Sequence, residues 1–340
     1  MHDFRSSLAA QLDGVFRAPA HHAAQRLRDL VDPEASVHVS APFGSFVGPE
    51  AITTGLILPL RTGLAGCHRR DLMVIGGDNR RDTGGRWVAI LTHYVGTFAA
   101  PIGGLEPSGK LSFLRAGEFY QIDAGRITRA HVILDLPDLA GQSGRLPFPQ
   151  DLGTELMFPA PATQDGICPV EGDGIASLDL VEAMLADLHV YDPGTAESPG
   201  QTGQDGYWAE DFLWYGPGGV GSNFRWDGFV ADHRTAFLNA FPDRKGGDHY
   251  CRIGDGHYAA VSGWPSMTMT HKAEYLGTPA TNKALTLRVM DFYRCQHTSG
   301  GPRQIAENWV CLDYVDLFEQ LGVDLIGRAN RRKVTHQALT

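Results

Sequence analysis

Two stretches of the chain carry the same pattern, and their agreement decides the fold. The first reads Lys110-Leu-Ser-Phe-Leu-Arg-Ala-Gly-Glu-Phe-Tyr120, and the second reads Lys283-Ala-Leu-Thr-Leu-Arg-Val-Met-Asp-Phe-Tyr293. After a turn, the first continues into Ile127–Asp135 and the second into Ile305–Asp313. Both therefore share a basic residue, an alternating run that closes on Phe-Tyr, and a strand that ends in Asp. The offset of roughly 175 residues is far longer than a solenoid repeat. The pattern predicts two whole domains in tandem.

Composition limits the class of protein. The 340 residues are 43% hydrophobic and 20% charged, which is typical of globular domains. A formal net charge of −10 argues against a nucleic-acid surface and against binding to anionic membranes. No apolar run approaches the roughly 18 residues of a membrane span, and the first residues lack the order of a signal peptide. Five scattered cysteines without a C-x-x-C motif indicate reduced thiols, so we expect a cytoplasmic protein.

Hydrophobic spacing predicts helices first and longer alternating strands afterwards in each half. Residues 4–31 and 50–64 are typical of helices, with a break at Pro19, and the strands of the first half are predicted at 36–40, 72–75, 87–98, 111–120 and 126–136. This order is that of an α+β domain with one antiparallel sheet. Ser177 is the expected N-cap of the first helix of the second half. We predict domains over 1–140 and 175–326, a Pro/Gly-rich linker over 141–174, and a basic tail over 327–340.

Several short motifs are grouped in the second copy. They are Trp208–Pro217, Phe241-Pro-Asp243, Gly254-Asp255, Gly277–Lys283, Phe292-Tyr293, Glu307–Asp313 and Gln320-Leu-Gly322. Together they resemble the SnoaL-like polyketide cyclases of the NTF2-like superfamily. The first copy resembles the family more weakly, through Pro42, Gly48, the strand that begins at Lys110, Asp135 and Gly141-Gln142.

This resemblance implies two tandem NTF2-like cone domains, each with a curved antiparallel sheet wrapped around N-terminal helices and an apolar pocket between them. Such domains usually pair through their sheets, so we expect an internal pseudo-dimer of the two copies, with a homodimer of the chain as a further option. In the cyclases, an Asp at the end of the last strand is the general acid and base of an intramolecular aldol closure. No metal or cofactor takes part. The matching residues are Asp313 and, in the first copy, Asp135.

The last strand of the second copy brings an acid near an indole. Alternation places Glu307, Trp309, Cys311 and Asp313 on one face. In a pocket, burial raises the pKa of a carboxyl group towards neutrality, as an acid–base group requires. The alternative interpretation is that Asp313 only caps the following helix, since Asp is a favoured N-cap.

Further side chains are candidates for substrate contact. Five of the six tryptophans lie in the second copy, which favours its pocket as the binding site. In the first copy, His131 replaces Trp309 and Arg129 replaces Glu307, so the two copies are not expected to share a substrate. A single strand histidine is more often a satisfied core or surface residue than a ligand contact. The remaining candidates are Trp214, Trp264, Tyr293, Arg288, His93 and, as a possible catalytic group, His271.

No metal or dinucleotide site is predicted. The run Gly216–Gly221 fits G-x-G-x-x-G, but no helix follows it directly and no βαβ unit surrounds it. His21 and His22 are adjacent on a helix and point in different directions, which makes a poor metal pair.

The sequence therefore predicts a protein that performs cofactor-free acid–base chemistry, such as aldol cyclisation, on a small apolar carbonyl compound. Two alternatives stay open on the same scaffold. One is an isomerase, dehydratase or hydrolase that acts on a small metabolite with the same carboxylate. The other is a non-catalytic module that binds a small molecule.

Overall fold

The structure, a computed structural model, describes residues 3–154 and 158–331 apart from residues 193, 197, 199, 204 and 298–300. We call residues 4–142 the N-terminal unit. Its helices are α1 (Phe4–Arg17), α2 (Ala20–Leu30), α3 (Gly48–Ile52), a π-helical turn (Thr53–Ile57), α4 (Leu58–Gly63) and α5 (Leu136–Gln142). Its strands are β1 (Val31–Val39), β2 (Gly44–Val47), β3 (Leu64–Asp78), β4 (Arg86–Phe98), β5 (Leu111–Asp123) and β6 (Arg126–Leu134).

Residues 174–331 form the C-terminal unit. Its helices are α6 (Gly174–Leu188), α7 (Arg225–Phe229), a π-helical turn (Val230–Arg234), α8 (Thr235–Ala240), α9 (Tyr314–Leu321) and α10 (Leu325–Arg331). Its strands are β7 (Trp208–Tyr215), β8 (Ser222–Phe224), β9 (Lys245–Gly246), β10 (His249–Asp255), β11 (Tyr258–Thr270), β12 (Ala284–His297) and β13 (Arg303–Leu312). The predicted α+β class is confirmed.

The two sheets have the same topology. The first runs β2-β1-β6-β5-β4-β3, and the second runs β8-β7-β13-β12-β11-β10 with the short β9 beside β11. In each sheet, one pair is parallel, β1 with β6 and β7 with β13, while the other named pairs are antiparallel. Strand for strand, β5 of the N-terminal unit corresponds to β12 of the C-terminal unit. These are the two stretches that carry the matching sequence.

Local sequence signals place several helix ends. Asp3 caps α1 by accepting a hydrogen bond from the Arg5 amide, and the break between α1 and α2 comes at Pro19, as expected. The prediction of Ser177 as the N-cap of α6 is wrong. Asp173 holds that position, and Ser177 lies inside the first turn, where its hydroxyl donates to the Asp173 carbonyl. In the predicted basic tail, residues 327–331 belong to α10, and residues 332–340 lie outside the described residues.

Both sides of each sheet are covered. One side packs against the helices of its own unit, and the other side faces the second sheet across an intersheet layer. This layer contains Trp87 and Phe119 from the first sheet and Phe292 and Trp309 from the second, with the rings of Phe119 and Phe292 5.5 Å apart. Burial on both sides explains why both faces of a strand such as β13 carry apolar residues.

The segment that joins the two units contacts both sheets. Val74 of the first sheet forms an isolated bridge with Ile167, and Ser222 of the second forms one with Thr154. Within the described part of the chain, no helix is long and apolar enough to cross a membrane.

Candidate functional site

A cavity of about 140 Å³ lies between the helices and the sheet of the C-terminal unit. Its walls are mostly apolar and aromatic, as is usual for small-molecule sites. The lining side chains are Leu185, Leu188, Trp208, Trp214, Phe229, His233, Arg234, Phe237, Leu238, Arg244, Met267, Leu287, Val289, Asp291, Tyr293, Asn308, Val310 and Leu312.

Strand alternation explains the floor of the cavity. Every second residue of β12 faces the helices, so Val289, Asp291 and Tyr293 lie on one side. In β13 their partners across the antiparallel pair are Leu312, Val310 and Asn308, which face the same way. Asn308 is therefore a diagonal neighbour of Asp291 on the cavity face.

Asp291 is the only carboxylic acid among the lining side chains that the structure describes. Burial raises the pKa of Asp291 to about 7, while the neighbouring Asn308 and Tyr293 side chains lower it to a smaller extent. Burial also raises the pKa of the Tyr293 phenol, so this group stays protonated at neutral pH. Asp291 is thus a carboxyl group with a raised pKa that lies beside the Asn308 and Tyr293 side chains.

The π-helical turn Val230–Arg234 presents polar groups to the opposite wall. π-helical turns are frequent at functional sites. The imidazole of His233 stacks on Trp214 with ring centroids 4.4 Å apart, and its Nδ1 has no hydrogen-bond partner among the described residues. Burial and the charges of Arg234 and Arg244 lower the pKa of His233 to about 3, so the ring is neutral at physiological pH.

Two of the predicted site residues, Trp214 and Tyr293, line this cavity. Asp313 does not line it. Its carboxylate caps α9 through the Asp316 amide at 3.1 Å, pairs with Arg288 at 2.8 Å and accepts the Ala41 amide of the N-terminal unit at 3.1 Å. Burial raises the pKa of Asp313 to about 6. Arg288 is occupied in turn by Asp313 and by the Trp264 ring, 4.7 Å from the guanidinium carbon.

Asp135 is arranged in the same way. It caps α5 through the Asp138 amide at 3.0 Å and accepts the Gly218 amide of the C-terminal unit at 3.0 Å. Asp135 and Asp313, which each follow the last strand of their unit, thus each accept a hydrogen bond from a backbone N–H of the other unit. Burial raises the pKa of Asp135, and the nearby Arg115 opposes this.

The expectation that Glu307 and Trp309 flank the cavity is a further point that the structure corrects. Both face the first sheet, since the cavity side of β13 carries Asn308, Val310 and Leu312. Trp309 stacks on Tyr215 at 5.0 Å and donates to the Pro159 carbonyl. Glu307 binds Arg294 and accepts the Tyr215 hydroxyl at 3.0 Å.

The remaining predicted contacts are also placed elsewhere. His131 stacks on Tyr250 at 3.9 Å in the intersheet layer, with Trp264 5.2 Å away, and burial lowers the pKa of His131 to about 2. His93 lies 6.0 Å from the Phe158 ring. The Nδ1 of His271 accepts the Thr281 amide, and His271 is not among the lining residues.

Sequence reasoning missed Asp291, Asn308, His233 and Arg234. For Asp291 a signal existed: it is an acid on the apolar face of β12, at the position that Glu118 holds in β5. For His233 and Arg234 we find no comparable signal, because the π-helical turn that presents both side chains is not visible in the residue spacing.

In the N-terminal unit, the corresponding acid is closed in. Glu118 is fully buried and pairs with Arg69 at 2.8 Å, with hydroxyl donors Tyr120 at 3.0 Å and Tyr94. The register explains the difference. In the N-terminal sheet, Arg69 lies opposite Tyr94 on the neighbouring strand, and Tyr94 lies opposite Leu114. In the C-terminal sheet, Gly246 lies opposite Met267, and Met267 lies opposite Leu287, which matches Leu114 in the sequence. In the N-terminal unit, the side chains of Arg69 and Tyr94 therefore fill the space beside the acid. In the C-terminal unit, Gly246 and Met267 hold the equivalent positions and leave that space open.

Across the described ranges, no three His, Cys, Asp or Glu side chains come together in a geometry that could hold a metal ion.

Comparison with known proteins identifies similar sequences and structures. The sequence profile of the SnoaL-like polyketide cyclases matches residues 202–321. IdmH from Streptomyces antibioticus is 19% identical over 42% of this chain and 99% of its own, with a TM-score of 0.32. An NTF2-like protein from Burkholderia thailandensis is 18% identical over 42% of this chain and 98% of its own, with a TM-score of 0.31. A protein with a ketosteroid isomerase-like fold from Catenulispora acidiphila, solved with trimethylamine, is 16% identical over 40% of this chain and 92% of its own, with a TM-score of 0.30. No curated protein matches the sequence.

Proposed function

We propose that the C-terminal unit catalyses a cofactor-free proton transfer on a small cyclic or ring-forming carbonyl compound, with Asp291 as both acid and base. The observation that carries this proposal is that, among the described lining residues, one carboxyl group lies on the floor of an aromatic cavity, beside the Tyr293 hydroxyl and the Asn308 amide. The match of residues 202–321 to the SnoaL-like polyketide cyclases supports a ring closure of the aldol type.

In this proposal Asp291 performs both proton transfers of the ring closure. The Asp291 carboxylate takes a proton from the carbon next to a carbonyl, and the resulting enolate attacks a second carbonyl carbon of the same molecule. The protonated Asp291 then returns its proton to the new alkoxide oxygen. A group with a pKa near 7 suits both steps, since each form is present at neutral pH. In this scheme the Tyr293 hydroxyl donates a hydrogen bond to the oxygen that becomes negative, while the Asn308 amide, which donates to the Phe292 carbonyl at 3.1 Å, orients the Asp291 carboxyl group.

The size of the cavity favours a compact substrate. A cavity of about 150 Å³ is enough for one benzene-sized ring, and the cavity here has about 140 Å³. This volume also favours a second candidate, an isomerase that moves a proton within one ring through the same Asp291 without forming a carbon–carbon bond.

We further infer that the two units arose by tandem duplication and pair as an internal pseudo-dimer. The identical strand order, the π-helical turn in each unit and the sheet-to-sheet packing support this. On this basis the C-terminal unit carries the reaction, while Arg69 blocks the corresponding place in the N-terminal unit.

The test uses exchange of the α-protons of cyclohex-2-enone and related cyclic ketones for deuterium, followed by NMR. Asp291→Asn is expected to lower the enzyme-dependent exchange rate about a hundredfold or more, which is the usual contribution of a general base. Asp313→Asn is the matched comparison, because its carboxylate caps α9 and pairs with Arg288. Loss of exchange in Asp313→Asn but not in Asp291→Asn would transfer the role to Asp313 and refute our assignment.

A further inference from the structure

Arg234 differs from the other buried arginines of the described chain. Those others are Arg69, Arg115 and Arg294, and each forms an ion pair with a carboxylate: Glu118, Asp138 and Glu307, respectively. Arg234 is only 4% exposed, yet no carboxylate among the described residues lies within ion-pair distance of it. A buried charge without an opposite charge is costly and calls for an explanation.

The groups that form hydrogen bonds with Arg234 among the described residues are neutral. Its guanidinium donates to the carbonyls of Ala196 and Leu188 and, at 2.6 Å, to the Ser198 hydroxyl. The charge of Asp187 acts on Arg234 from a distance. The Asp187 carboxylate itself accepts hydrogen bonds from the Gly200 amide and the Gln201 side chain. Hydrogen bonds of this kind orient the guanidinium, and within the described part of the chain they supply no opposite charge.

A second arginine lies on the same wall. Arg244 also lines the cavity, donates to the Leu188 carbonyl at 2.8 Å and sits 4.8 Å from the Tyr191 ring, without an ion pair to a described carboxylate. Burial and repulsion by Arg244 lower the pKa of Arg234 to about 10, so both groups remain charged at neutral pH. Two like charges near one cavity favour an anion between them.

We propose that Arg234 and Arg244 bind a carboxylate group of the ligand, so that the C-terminal cavity prefers a small cyclic keto acid, which joins the reacting ketone to an anionic group, over the corresponding neutral ketone. This inference rests on the proposed function for the choice of cavity. Neither arginine forms an ion pair with Asp291 within the described residues. The ligand is therefore held by its anionic end at the arginines, while its apolar ring extends over the aromatic walls towards Asp291.

The experiment measures binding of benzoate and of benzamide, its neutral counterpart of the same shape, to the full chain by calorimetry. Benzoate is expected to bind at least about tenfold more tightly, because a charge-assisted pair is replaced by a neutral contact in benzamide. Arg244→Gln and Arg234→Gln should remove this preference, with circular dichroism to verify folding. Arg225→Gln is the matched control, since Arg225 is exposed and pairs with Glu210. If Arg234→Gln does not fold, Arg244→Gln alone decides, because Arg244 makes fewer contacts with the protein.

The outcomes separate the two proposals. Asp291→Asn should keep or increase the benzoate preference while it loses proton exchange. Equal affinity for both probes, absence of benzoate binding at millimolar concentration, or a preference that survives both arginine variants overturns the carboxylate site and leaves the role of Asp291 intact. A preference that depends on the arginines, combined with unchanged exchange in Asp291→Asn, supports the carboxylate site and refutes the catalytic role of Asp291.

Discussion

The two units hold an acid at the same place on the same strand and surround it in opposite ways. Glu118 faces Arg69, Tyr94 and Tyr120, whereas Asp291 faces a cavity with Asn308 and Tyr293 beside it. The tyrosine after the acid is common to both units, so it is not the cause of the difference. The cause is the pair on the neighbouring strands, Arg69 with Tyr94 in one unit and Gly246 with Met267 in the other. Two residues thus separate a sealed ion pair from an open site.

Breaking the sealed acid should have the largest effect. Arg69→Met removes the partner of the fully buried Glu118, and we expect a loss of about 3–5 kcal/mol in the free energy of unfolding. Urea denaturation of the full chain measures it. The double variant Arg69→Met/Glu118→Gln should recover much of the loss, because position 118 no longer carries a buried charge, and the less buried Asp71 alone loses its ion pair with Arg69. A loss below about 1 kcal/mol in the single variant would show that Glu118 is not held by charge pairing.

Removing the charge of the open acid should stabilise the protein at high pH. Folding raises the pKa of Asp291 to about 7 from an ordinary value near 4, so the folded state binds this proton more tightly than the unfolded state. The contribution of Asp291 is therefore full at low pH and is lost as pH rises through about 7. Asp291→Asn should be more stable than the parent by about 2–4 kcal/mol at pH 8 and nearly equal to it at pH 4.

The difference between the two proteins across pH isolates Asp291, because other buried acids such as Asp138 and Asp313 titrate in both. A constant difference between pH 4 and pH 8 would mean that the Asp291 carboxyl keeps its ordinary pKa.

Transfer of the sealing pair should close the open site. In Gly246→Arg/Met267→Tyr, the introduced guanidinium is expected to reach Asp291, lower its pKa and fill the cavity. Proton exchange should then fall about a hundredfold. Gly246 has a backbone that other residues can adopt, and a side chain there first meets His189 at 3.7 Å. Met267→Leu, which nearly conserves volume, serves as the control and should keep the rate. Full activity in the double variant would show that the register does not determine access to Asp291.

The smallest effects concern a feature that the units share. Asp313→Ala and Asp135→Ala each remove an N-cap and a hydrogen bond to the other unit. The arginines that pair with them keep a second carboxylate, Asp316 for Arg288 and Asp138 for Arg115, so each change should cost only about 1–2 kcal/mol. Thermal unfolding measures the two changes side by side. A much larger loss of stability for one variant would indicate that the two hydrogen bonds between the units do not contribute equally.

Part of this arrangement could be predicted from the sequence. The paired stretches at Lys110 and Lys283 were enough for two similar α+β units, because strand alternation and turns are local properties. The strand β3 was predicted only at 72–75, since Cys67-His-Arg-Arg-Asp71 reads as polar; its Arg69 is buried by a partner on a distant strand.

The cavity face was assigned incorrectly for a related reason. Both faces of β13 are apolar, so Trp309 and Asn308 could not be assigned to their sides from the pattern alone. The indole of Trp309 belongs to the packing between the sheets, and the polar Asn308 faces the cavity. Only the presence of the second sheet decides between these two interpretations, and its position is a long-range property of the fold.

The joining of both sheets in one chain has a consequence for symmetry. When two identical chains pair face to face, every substitution occurs on both sides of the axis, so a change that fills one pocket fills its twin. Here the two facing sheets are formed by different parts of one chain, so a substitution changes only one of them. Arg69 and Tyr94 can therefore enclose Glu118 in one half, while Gly246 and Met267 leave space beside Asp291 in the other half. The covalent link allows the two halves to differ in structure in a way that a symmetric dimer of the same fold could not maintain.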